Sequence, residues 1–289
     1  MTEDLQKIVL VTGSNGQLGR ELQQLVPKYP HFRFLFTNKE TLSITDFEGA
    51  RNYFETHSID VCINCAAYTE VDKAETDKET AYLINADAVG NLAALCKAHK
   101  AQFIHISTDY VFDGGSSSPY KEENSIAPIN IYGASKLKGE ELAFNANPSS
   151  IIIRTSWLYS SFGKNFVKTM LQLMEERPVI NVVDDQFGSP TYAGDLADTI
   201  LKMLSCGSYH TGIFHYSNLG VTSWYMFAEE IKKYVHSACV VRPIPTIQYP
   251  TPAPRPKFSV LDSSKIRDLL HLDIPEWQAS LHECLLLIL

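Results

Sequence analysis

The chain has 289 residues, of which 45% are hydrophobic and 20% charged, and its formal net charge is −8. This length supports one large core and is close to the size at which cores divide, so we expect one domain with a smaller lobe. The net negative charge and scattered lysines and arginines give no electrostatic reason to bind a phosphate backbone, which excludes nucleic acid as an expected partner.

The start of the chain is polar and acidic and lacks the basic and apolar layers of a secretory signal. The longest apolar run, residues 285–289, is far shorter than the roughly 20 residues that span a bilayer. We therefore expect a cytoplasmic protein without a membrane partner. Cys62 and Cys65 have zinc-like spacing, but a second pair is missing and both lie in a predicted buried strand, which favours packing by reduced thiols over metal binding.

The predicted elements begin with a strand at residues 7–12, a glycine-rich turn and a helix at 17–26. Further strands are predicted at 32–37, 60–66, 102–107 and 150–155, and helices at 46–57, 77–99 and 132–145. The strands are apolar throughout rather than alternating, which indicates burial on both faces. The pattern therefore predicts an α/β fold, a doubly wound parallel sheet of the Rossmann type.

After about Trp157 the pattern loosens, with helices predicted at 165–176, 194–204, 223–235 and 263–270. We expect a dinucleotide-binding Rossmann domain over residues 1–160, to which later segments return, and a mainly substrate-binding C-terminal lobe over 161–289. Six prolines between residues 243 and 256 exclude a helix or a central strand there. That stretch should be an extended segment lying across another part of the protein.

A glycine-rich turn lies between the first predicted strand and helix. Its first glycine permits a tight turn, its second lets backbone N–H groups approach a pyrophosphate, and its third allows close helix packing, while the helix N-terminus favours an anion. This context predicts dinucleotide binding rather than a purely structural turn. The cofactor-binding residues predicted here are Gly13, Asn15, Gly16, Gln17, Leu18 and Gly19.

The end of the second strand lacks the acidic residue that usually accepts hydrogen bonds from the NAD ribose, because Thr37 or Asn38 takes its place. A 2′-phosphate is then not repelled, and Lys39 either neutralises it or is a solvated loop lysine. This favours NADPH and leaves NADH open. Asp46 is expected to cap the following helix, and it can also face the adenine end of the cofactor.

Tyr132 and Lys136 are four residues apart in a predicted helix and so share one face. Lysine beside tyrosine favours the phenolate, which would bring the phenol pKa down from about 10 toward neutrality. Thr108, at the carboxyl end of the fourth strand, can hydrogen-bond the same carbonyl oxygen. Such a pair is common by chance on helix surfaces, but together with the glycine turn it predicts a catalytic set of Tyr132, Lys136 and Thr108.

These residues belong to longer passages spread over nearly the whole chain, in which the sequence resembles the extended short-chain dehydrogenase/reductases that act on nucleotide sugars. The passages are NCAAYT at 64–69, VDKAE at 71–75, STDYVFDG at 107–114, YGASK at 132–136, RTSWLY at 154–159, DDQFGSPT at 184–191 and YPTPAPRP at 249–256. The resemblance implies NAD(P)H-dependent reduction of the C4 ketone of dTDP-4-dehydro-L-rhamnose to dTDP-L-rhamnose, a precursor of surface polysaccharides.

The resemblance also implies roles for individual residues. Tyr132 would be the proton donor, Lys136 would bind the nicotinamide ribose, and both would contact the cofactor. The other implied cofactor-binding residues are Asp46, Phe47, Ala67, Tyr68, Thr69 and Asn85. The implied substrate-binding residues are Thr108, Asp109, Trp157 and Arg255.

Some of these roles have structural alternatives. Trp157 can be core filling below the site, Arg255 a surface ion-pair partner and Asn85 a cap or bridge for backbone groups. The resemblance allows a homodimer and, in some relatives, a magnesium ion between subunits, but the sequence shows no carboxylate cluster that would hold it, so we assign no metal.

Two alternative functions stay open. One is reduction or epimerisation of a different keto nucleotide sugar, since one fold and one Tyr/Lys pair serve many sugars. The other is a non-catalytic regulatory role, because the chain also resembles the accessory subunit of methionine adenosyltransferase. The intact Tyr132, Lys136 and Thr108 argue against the regulatory role.

Overall fold

Strands and helices alternate along the first half of the chain in the computed structural model, which describes residues 6–206 and 210–289. The strands are β1 Lys7–Thr12, β2 Phe32–Phe36, β3 Val61–Asn64, β4 Gln102–Thr108, β5 Ile151–Thr155, β6 Leu158–Tyr159, β7 Val179–Val183, β8 Phe187–Gly188, β9 Thr191–Tyr192, β10 Gly212–His215, β11 Thr222–Ser223 and β12 Val240–Ile244. The helices are α1 Gln17–Leu25, α2 Phe47–Thr56, α3 Val71–Ala74, α4 Lys78–Tyr82, α5 Ala88–Ala98, α6 Ile131–Ala146, α7 Phe166–Glu176, α8 Ala193–Ser205, α9 Trp224–Tyr234, α10 Ser264–Leu270 and α11 Trp277–Ile288.

The central sheet has six parallel strands in the order β10-β5-β4-β3-β1-β2. The chain moves outward from β1 to β2 and then returns to β3 on the other side, so the strand order reverses between β1 and β3. In open parallel sheets, ligands bind outside the carboxyl ends of the strands at such a reversal. The predicted α/β fold of the Rossmann type is therefore confirmed, and its ligand edge is defined.

Two separate core clusters cover the two faces of this sheet. Val9 and Val11 of β1 face one cluster with helices α1 and α8, whereas Leu10 faces the other cluster with α2 and α5. All three side chains are fully buried. Burial on both faces is the physical reason for strands that are apolar throughout.

The second half of the chain contributes β10 to the edge of the central sheet and otherwise forms small strand pairs. These pairs are β6 with β9, β7 with β12 and β8 with β11. A third core cluster fills the space between α7, α9 and α11. Helix α11 is absent from our predicted elements, which describe only its apolar end. The division at residue 160 stays a prediction.

The proline-rich segment differs in part from the expectation. Pro243 lies in β12, whose one partner among the described strands is β7, and so occupies a strand of a two-stranded ribbon rather than a central one. The expected absence of helix was wrong for residues Thr246–Gln248, which form one 3-10 turn directly after Pro245. Proline is tolerated at the start of a turn, where its missing N–H would have no partner. The following residues cross the start of α6, where Asn130 Nδ2 donates to Pro254 O at 2.9 Å.

The predicted helix at 77–99 is divided by a π-helical turn at Leu83–Asp87 between α4 and α5. All six cysteines are free. Among the described residues, no group of three or more His, Cys, Asp or Glu side chains could hold a metal ion. Within the same part of the chain, no helix combines the length and the apolar character needed to cross a membrane.

Candidate active site

The glycine turn brings the backbone of three segments into close contact. Gly13 has φ +65°, and a Cβ there would lie 2.6 Å from the Ala66 backbone nitrogen, while a Cβ on Gly19 would lie 2.5 Å from Ser14 Cα. Gly16 caps α1 without a side-chain hydrogen bond, and among the described residues no side chain accepts from the first N–H groups of this nine-residue helix. The start of α1 therefore offers N–H donors for an anion at the reversal point of the sheet.

The other predicted residues of this turn contribute differently. Asn15 is exposed, whereas the Leu18 side chain lies in the core, which leaves only its backbone for a ligand. Gln17 Oε1 accepts from Asn165 Nδ2 at 2.9 Å, so its side chain ties α1 to the second half of the chain.

Thr37 and Asn38, at the end of β2, direct their side chains toward neighbouring backbone. The buried Thr37 hydroxyl donates to Val11 O at 3.3 Å, and Thr37 O accepts from Ser14 N at 2.9 Å. Asn38 Oδ1 accepts from Glu40 N and Thr41 N at 2.9 and 3.1 Å. The expected position of the ribose-binding carboxylate thus carries two neutral residues that stabilise the turn, beside an exposed Lys39.

Asp46 is the N-cap of α2, because its Oδ1 accepts from Gly49 N at 2.9 Å. This confirms the capping role predicted from the sequence. The next residue, Phe47, exposes 41% of its surface, so its ring is accessible to a ligand. Contact of Asp46 and Phe47 with the adenine stays a prediction.

Asn85, in the π-helical turn, holds the segment of Ala67, Tyr68 and Thr69. Its Oδ1 accepts from Tyr68 N at 2.8 Å, and its Nδ2 donates to Tyr68 O and to Ser135 Oγ, both at 3.0 Å. Asn85 therefore bridges backbone, and it links the predicted cofactor loop to α6. π-Helical turns occur frequently at functional sites, which fits this location.

Helix α6 carries Tyr132 in its first turn and Lys136 in its second. Asn130 caps the helix by accepting from Gly133 N at 2.8 Å. A Cβ on Gly133 would lie 2.1 Å from Tyr110 O, so this glycine allows α6 to approach the chain just after β4. The approach brings Tyr132 to the Thr108 side chain, and the Tyr110 and Tyr132 rings meet edge to face at 5.7 Å.

Burial dominates the electrostatics of Tyr132. It raises the phenol pKa to about 12, the nearby Asp109 acts in the same direction, and a polar contact with Thr108 opposes them. The lower phenol pKa that we expected from Lys136 is not found, because the side-chain nitrogen of Lys136 is directed toward β4. Lys136 Nζ instead lies 2.6 Å from Ile106 O and 3.1 Å from His105 Nε2.

Thr108 and Asp109 end β4 beside Tyr132. Thr108 Oγ1 donates to Asp109 Oδ1 at 2.9 Å. The carboxyl group is almost fully buried, and this burial raises its pKa to about 7. Asp109 Oδ2 is buried without a hydrogen-bond partner among the described residues. A buried carboxylate oxygen without a partner is costly, so it is a candidate acceptor for a ligand hydroxyl.

Trp157 has a strained backbone, with φ +47°. Its indole stacks on Trp224 at 3.5 Å with an angle of 8°, and a Cβ on Gly188 would lie 2.5 Å from the indole Cε2. Strain in a bulky residue indicates a position that the surrounding structure enforces, often at a functional site. Trp157 also packs against the third core cluster, so contact with substrate stays a prediction.

Arg255 forms an ion pair with Asp72 at 2.9 Å and donates to Ala253 O at 2.7 Å. Its side chain is 18% exposed. This is the ion-pair alternative raised from the sequence, but both contacts use Nη1, and a guanidinium carries further N–H donors that could bind a diphosphate.

Four residues near these positions were missing from the sequence predictions. Asn64 and His105 are fully buried polar residues inside otherwise apolar strands, and that interruption was the available signal. Asp72 and Trp224 carry no such signal, because their importance depends on contacts between segments distant in sequence.

A parallel sheet with a glycine turn at its reversal point, and a Tyr/Lys helix beside a Ser-Thr strand end, defines a short-chain dehydrogenase/reductase. The family model described as the RmlD substrate binding domain matches residues 7–288. A dTDP-4-dehydrorhamnose reductase from Aggregatibacter actinomycetemcomitans is 39% identical over 94% of this chain and 96% of its own. The chain belongs to this family of dTDP-4-dehydrorhamnose reductases, which confirms the resemblance seen in the sequence.

Two solved structures agree with this assignment. A dTDP-4-dehydrorhamnose reductase from Clostridium acetobutylicum is 41% identical and has a TM-score of 0.93, covering 97% of this chain and 99% of its own. One from Bacillus anthracis, solved in complex with NADP, is 39% identical with the same TM-score and coverage.

Proposed function

We propose that the protein catalyses the NADPH-dependent reduction of the C4 ketone of dTDP-4-dehydro-L-rhamnose to dTDP-L-rhamnose. The observation that carries the proposal is the close grouping of Tyr132, Lys136 and Thr108 around the carboxyl end of β4. Membership of the family supports the substrate, and the NADP in the Bacillus anthracis structure supports the cofactor.

The residues around the glycine turn fit a dinucleotide. The start of α1 has N–H groups without a side-chain cap for the pyrophosphate, and the absence of a Cβ at Gly13 and Gly19 keeps the turn tight. When bound, the reduced nicotinamide supplies the hydride for the carbonyl carbon. Thr37 and Asn38 carry no charge that would repel a 2′-phosphate, which favours NADPH while leaving NADH open.

Tyr132 is suited to donate a proton to the carbonyl oxygen. With a pKa near 12 its phenol stays protonated at neutral pH, so the proton is available when negative charge develops on that oxygen. The Thr108 hydroxyl lies beside the phenol, and the two groups can orient the same oxygen.

The substrate side would use charged and aromatic side chains. Asp109 Oδ2 lacks a partner among the described residues and could accept a hydrogen bond from a sugar hydroxyl. The guanidinium of Arg255 could bind the diphosphate, and Trp157 could pack against the sugar ring. These three contacts, like the cofactor contacts of Ala67, Tyr68, Thr69, Asp46 and Phe47, are proposals.

The test is nicotinamide absorbance with dTDP-4-dehydro-L-rhamnose and a small panel of other 4-keto nucleotide sugars, with NADPH and NADH supplied separately. Tyr132→Phe should lower kcat by about 10³-fold, because general acid catalysis contributes on that order, while the Kd for NADPH stays nearly unchanged. Tyr53→Phe, in α2 away from the site, is the matched control and should behave as wild type. Near-normal turnover by Tyr132→Phe would contradict the assignment.

The same assay separates the alternatives. Preferred turnover of another sugar would replace the substrate, product inversion without net NADPH consumption would indicate an epimerase, and inactivity on every sugar would favour a regulatory subunit. A cytoplasmic location and a homodimer stay predictions, and sedimentation equilibrium tests the latter.

A further inference from the structure

A row of buried polar side chains crosses the sheet directly beneath Lys136. Thr12, Asn64 and His105 are partners in the register of β1, β3 and β4, so their side chains lie side by side. All three are fully buried. The established features of the site assign no function to this row, although it ends on the lysine of the Tyr/Lys pair.

The hydrogen-bond donors around Asn64 determine the orientation of its amide. Asn64 Oδ1 accepts from Thr12 Oγ1 at 2.6 Å and from the Ala66 backbone N–H at 3.2 Å. A backbone N–H can only donate, so the oxygen must be on that side and the Nδ2 group must face His105. The contact between Asn64 Nδ2 and His105 Nδ1 is 3.0 Å.

This orientation determines the tautomer of His105. Its Nδ1 must be an acceptor, because Asn64 Nδ2 can only donate. A neutral imidazole then carries its proton on Nε2, and burial lowers the His105 pKa well below its usual value, so the ring stays neutral. The Nε2–H points at Lys136 Nζ, 3.1 Å away.

Only a neutral amine can accept that hydrogen bond, because an ammonium group has no lone pair. We propose that Asn64 and His105 form a positioning pair that holds Lys136 as a neutral amine. One N–H of the amine donates to Ile106 O at 2.6 Å, which completes its orientation. This proposal deepens the proposed function, on which it rests for the role of Lys136 beside Tyr132.

The groups that face Lys136 leave its amine form populated near neutrality. Burial lowers the Lys136 pKa to about 7, with Glu140 and Cys65 acting in the opposite direction. The Glu140 carboxylate, one turn later on α6, is already paired with Arg154 at 2.7 Å and accepts from Ser107. Burial raises the pKa of the Cys65 thiol and of the Tyr132 phenol, so both are uncharged near neutrality. Asp109 lies beyond Tyr132, and burial raises its pKa to about 7.

The sign of a pKa shift tests the pair. In ¹³C-lysine-labelled protein without cofactor, NMR titration reports the Lys136 pKa, with Lys136→Met to assign the signal and the exposed Lys138 as internal reference. His105→Phe removes the donor that stabilises the amine, so the Lys136 pKa should rise by about half to one pH unit, the equivalent of one neutral hydrogen bond. If His105 instead accepted from an ammonium group, the same variant would lower the pKa.

Two further variants keep the test decisive if His105→Phe folds poorly. His105→Gln can place an amide N–H where Nε2–H lies and should leave the Lys136 pKa near its wild-type value. In Asn64→Asp, the carboxylate accepts a hydrogen bond from Nδ1–H, which moves the lone pair of the ring to Nε2. This variant should raise the Lys136 pKa by more than His105→Phe does. A fall, or no change, in both His105→Phe and Asn64→Asp would overturn the proposal.

The titration uses no substrate, so its failure is distinct from failure of the proposed function. A reductase that turns over normally but shows the wrong sign would lose only the positioning pair. A protein without reductase activity that shows the expected shifts would keep the pair and lose the proposed reaction.

Discussion

The proposed cofactor side and the proposed substrate side of the site differ in how they are built. On the cofactor side, the turn between β1 and α1 depends on backbone, with Gly13 and Gly19 packed so closely that a Cβ would clash. On the substrate side, side chains from distant segments meet, as in the stack of Trp157 on Trp224. Because the cofactor side depends on close backbone packing, we expect it to tolerate little change in backbone. On the substrate side, we expect single side-chain substitutions to alter substrate specificity.

The largest effect should come from the buried ion pair between α6 and β5. Glu140 of α6 is 2.7 Å from Arg154 of β5, and both side chains are almost completely buried. Glu140→Gln leaves Arg154 as an unpaired buried charge, so the free energy of unfolding should fall by about 3–5 kcal/mol. Urea denaturation measures this change.

Glu141→Gln is a matched control on the same helix. It breaks the exposed pair with Lys138, which lies at 2.9 Å with both side chains about half exposed. Exposed pairs contribute little, so this variant should unfold like wild type. Equal destabilisation by both variants would show that the buried pair contributes no more to stability than the exposed pair.

A smaller effect is expected at the glycine turn. Gly13→Ala forces a Cβ into a left-handed conformation and against the Ala66 backbone, which should cost about 2–3 kcal/mol of stability and weaken NADPH binding. Gly212→Ala also has a positive φ, +107°, but no described residue lies within 4 Å of its Cβ. It should lose stability through backbone strain alone and keep its NADPH affinity, as measured by fluorescence titration.

The cofactor side was also the part that the sequence could predict. The strand at residues 7–12, the helix after it and the capping role of Asp46 agree with the structure because each depends on local pattern and local hydrogen bonds. The strands of the first half are apolar on both faces, and this pattern can be recognised in the sequence without knowing which strands pair.

The substrate side could not be predicted to the same extent. Strands β6, β8, β9 and β11 have two residues each, too few for a periodic pattern. Trp157 meets Trp224 across 67 positions of sequence, and Asp72 meets Arg255 across 183, so only the fold brings them together. The orientation of Lys136 toward His105 also depends on a tertiary contact, which is why the expected lowering of the Tyr132 pKa was not found.

A third prediction concerns the buried carboxyl group of Asp109. The Asp109 pKa is raised to about 7 from 3.8, so between these values the folded state binds more protons and stability falls as pH rises. Asp109→Asn removes this ionisation. As the pH rises from 5 to 8, the free energy of unfolding of the variant should therefore increase by on the order of 2 kcal/mol relative to that of wild type. The KM of the variant for the sugar nucleotide should rise.

Thermal or urea unfolding at the two pH values measures the difference. Asp113→Asn is the control, because a backbone hydrogen bond from Gly115 lowers the Asp113 pKa, and that contribution to stability is lost only as pH falls below this range. Its stability relative to wild type should be the same at pH 5 and pH 8. A flat profile for Asp109→Asn would mean that Asp109 is ionised in the folded protein throughout.

The smallest effect should change binding of the sugar nucleotide without changing binding of NADPH. Trp224 supports the strained Trp157 from the start of α9, and an aromatic stack of this kind contributes about 0.5–1.5 kcal/mol. Trp224→Ala should therefore raise the KM for the sugar nucleotide up to about tenfold, leave the Kd for NADPH unchanged, and be partly rescued by Trp224→Phe. Met226→Ala, on the exposed face of the same helix, should change neither constant. If Trp224→Ala weakened NADPH and sugar binding equally, the proposed cofactor and substrate sides would not be separable, and Trp157 would be a core residue rather than part of the substrate surface.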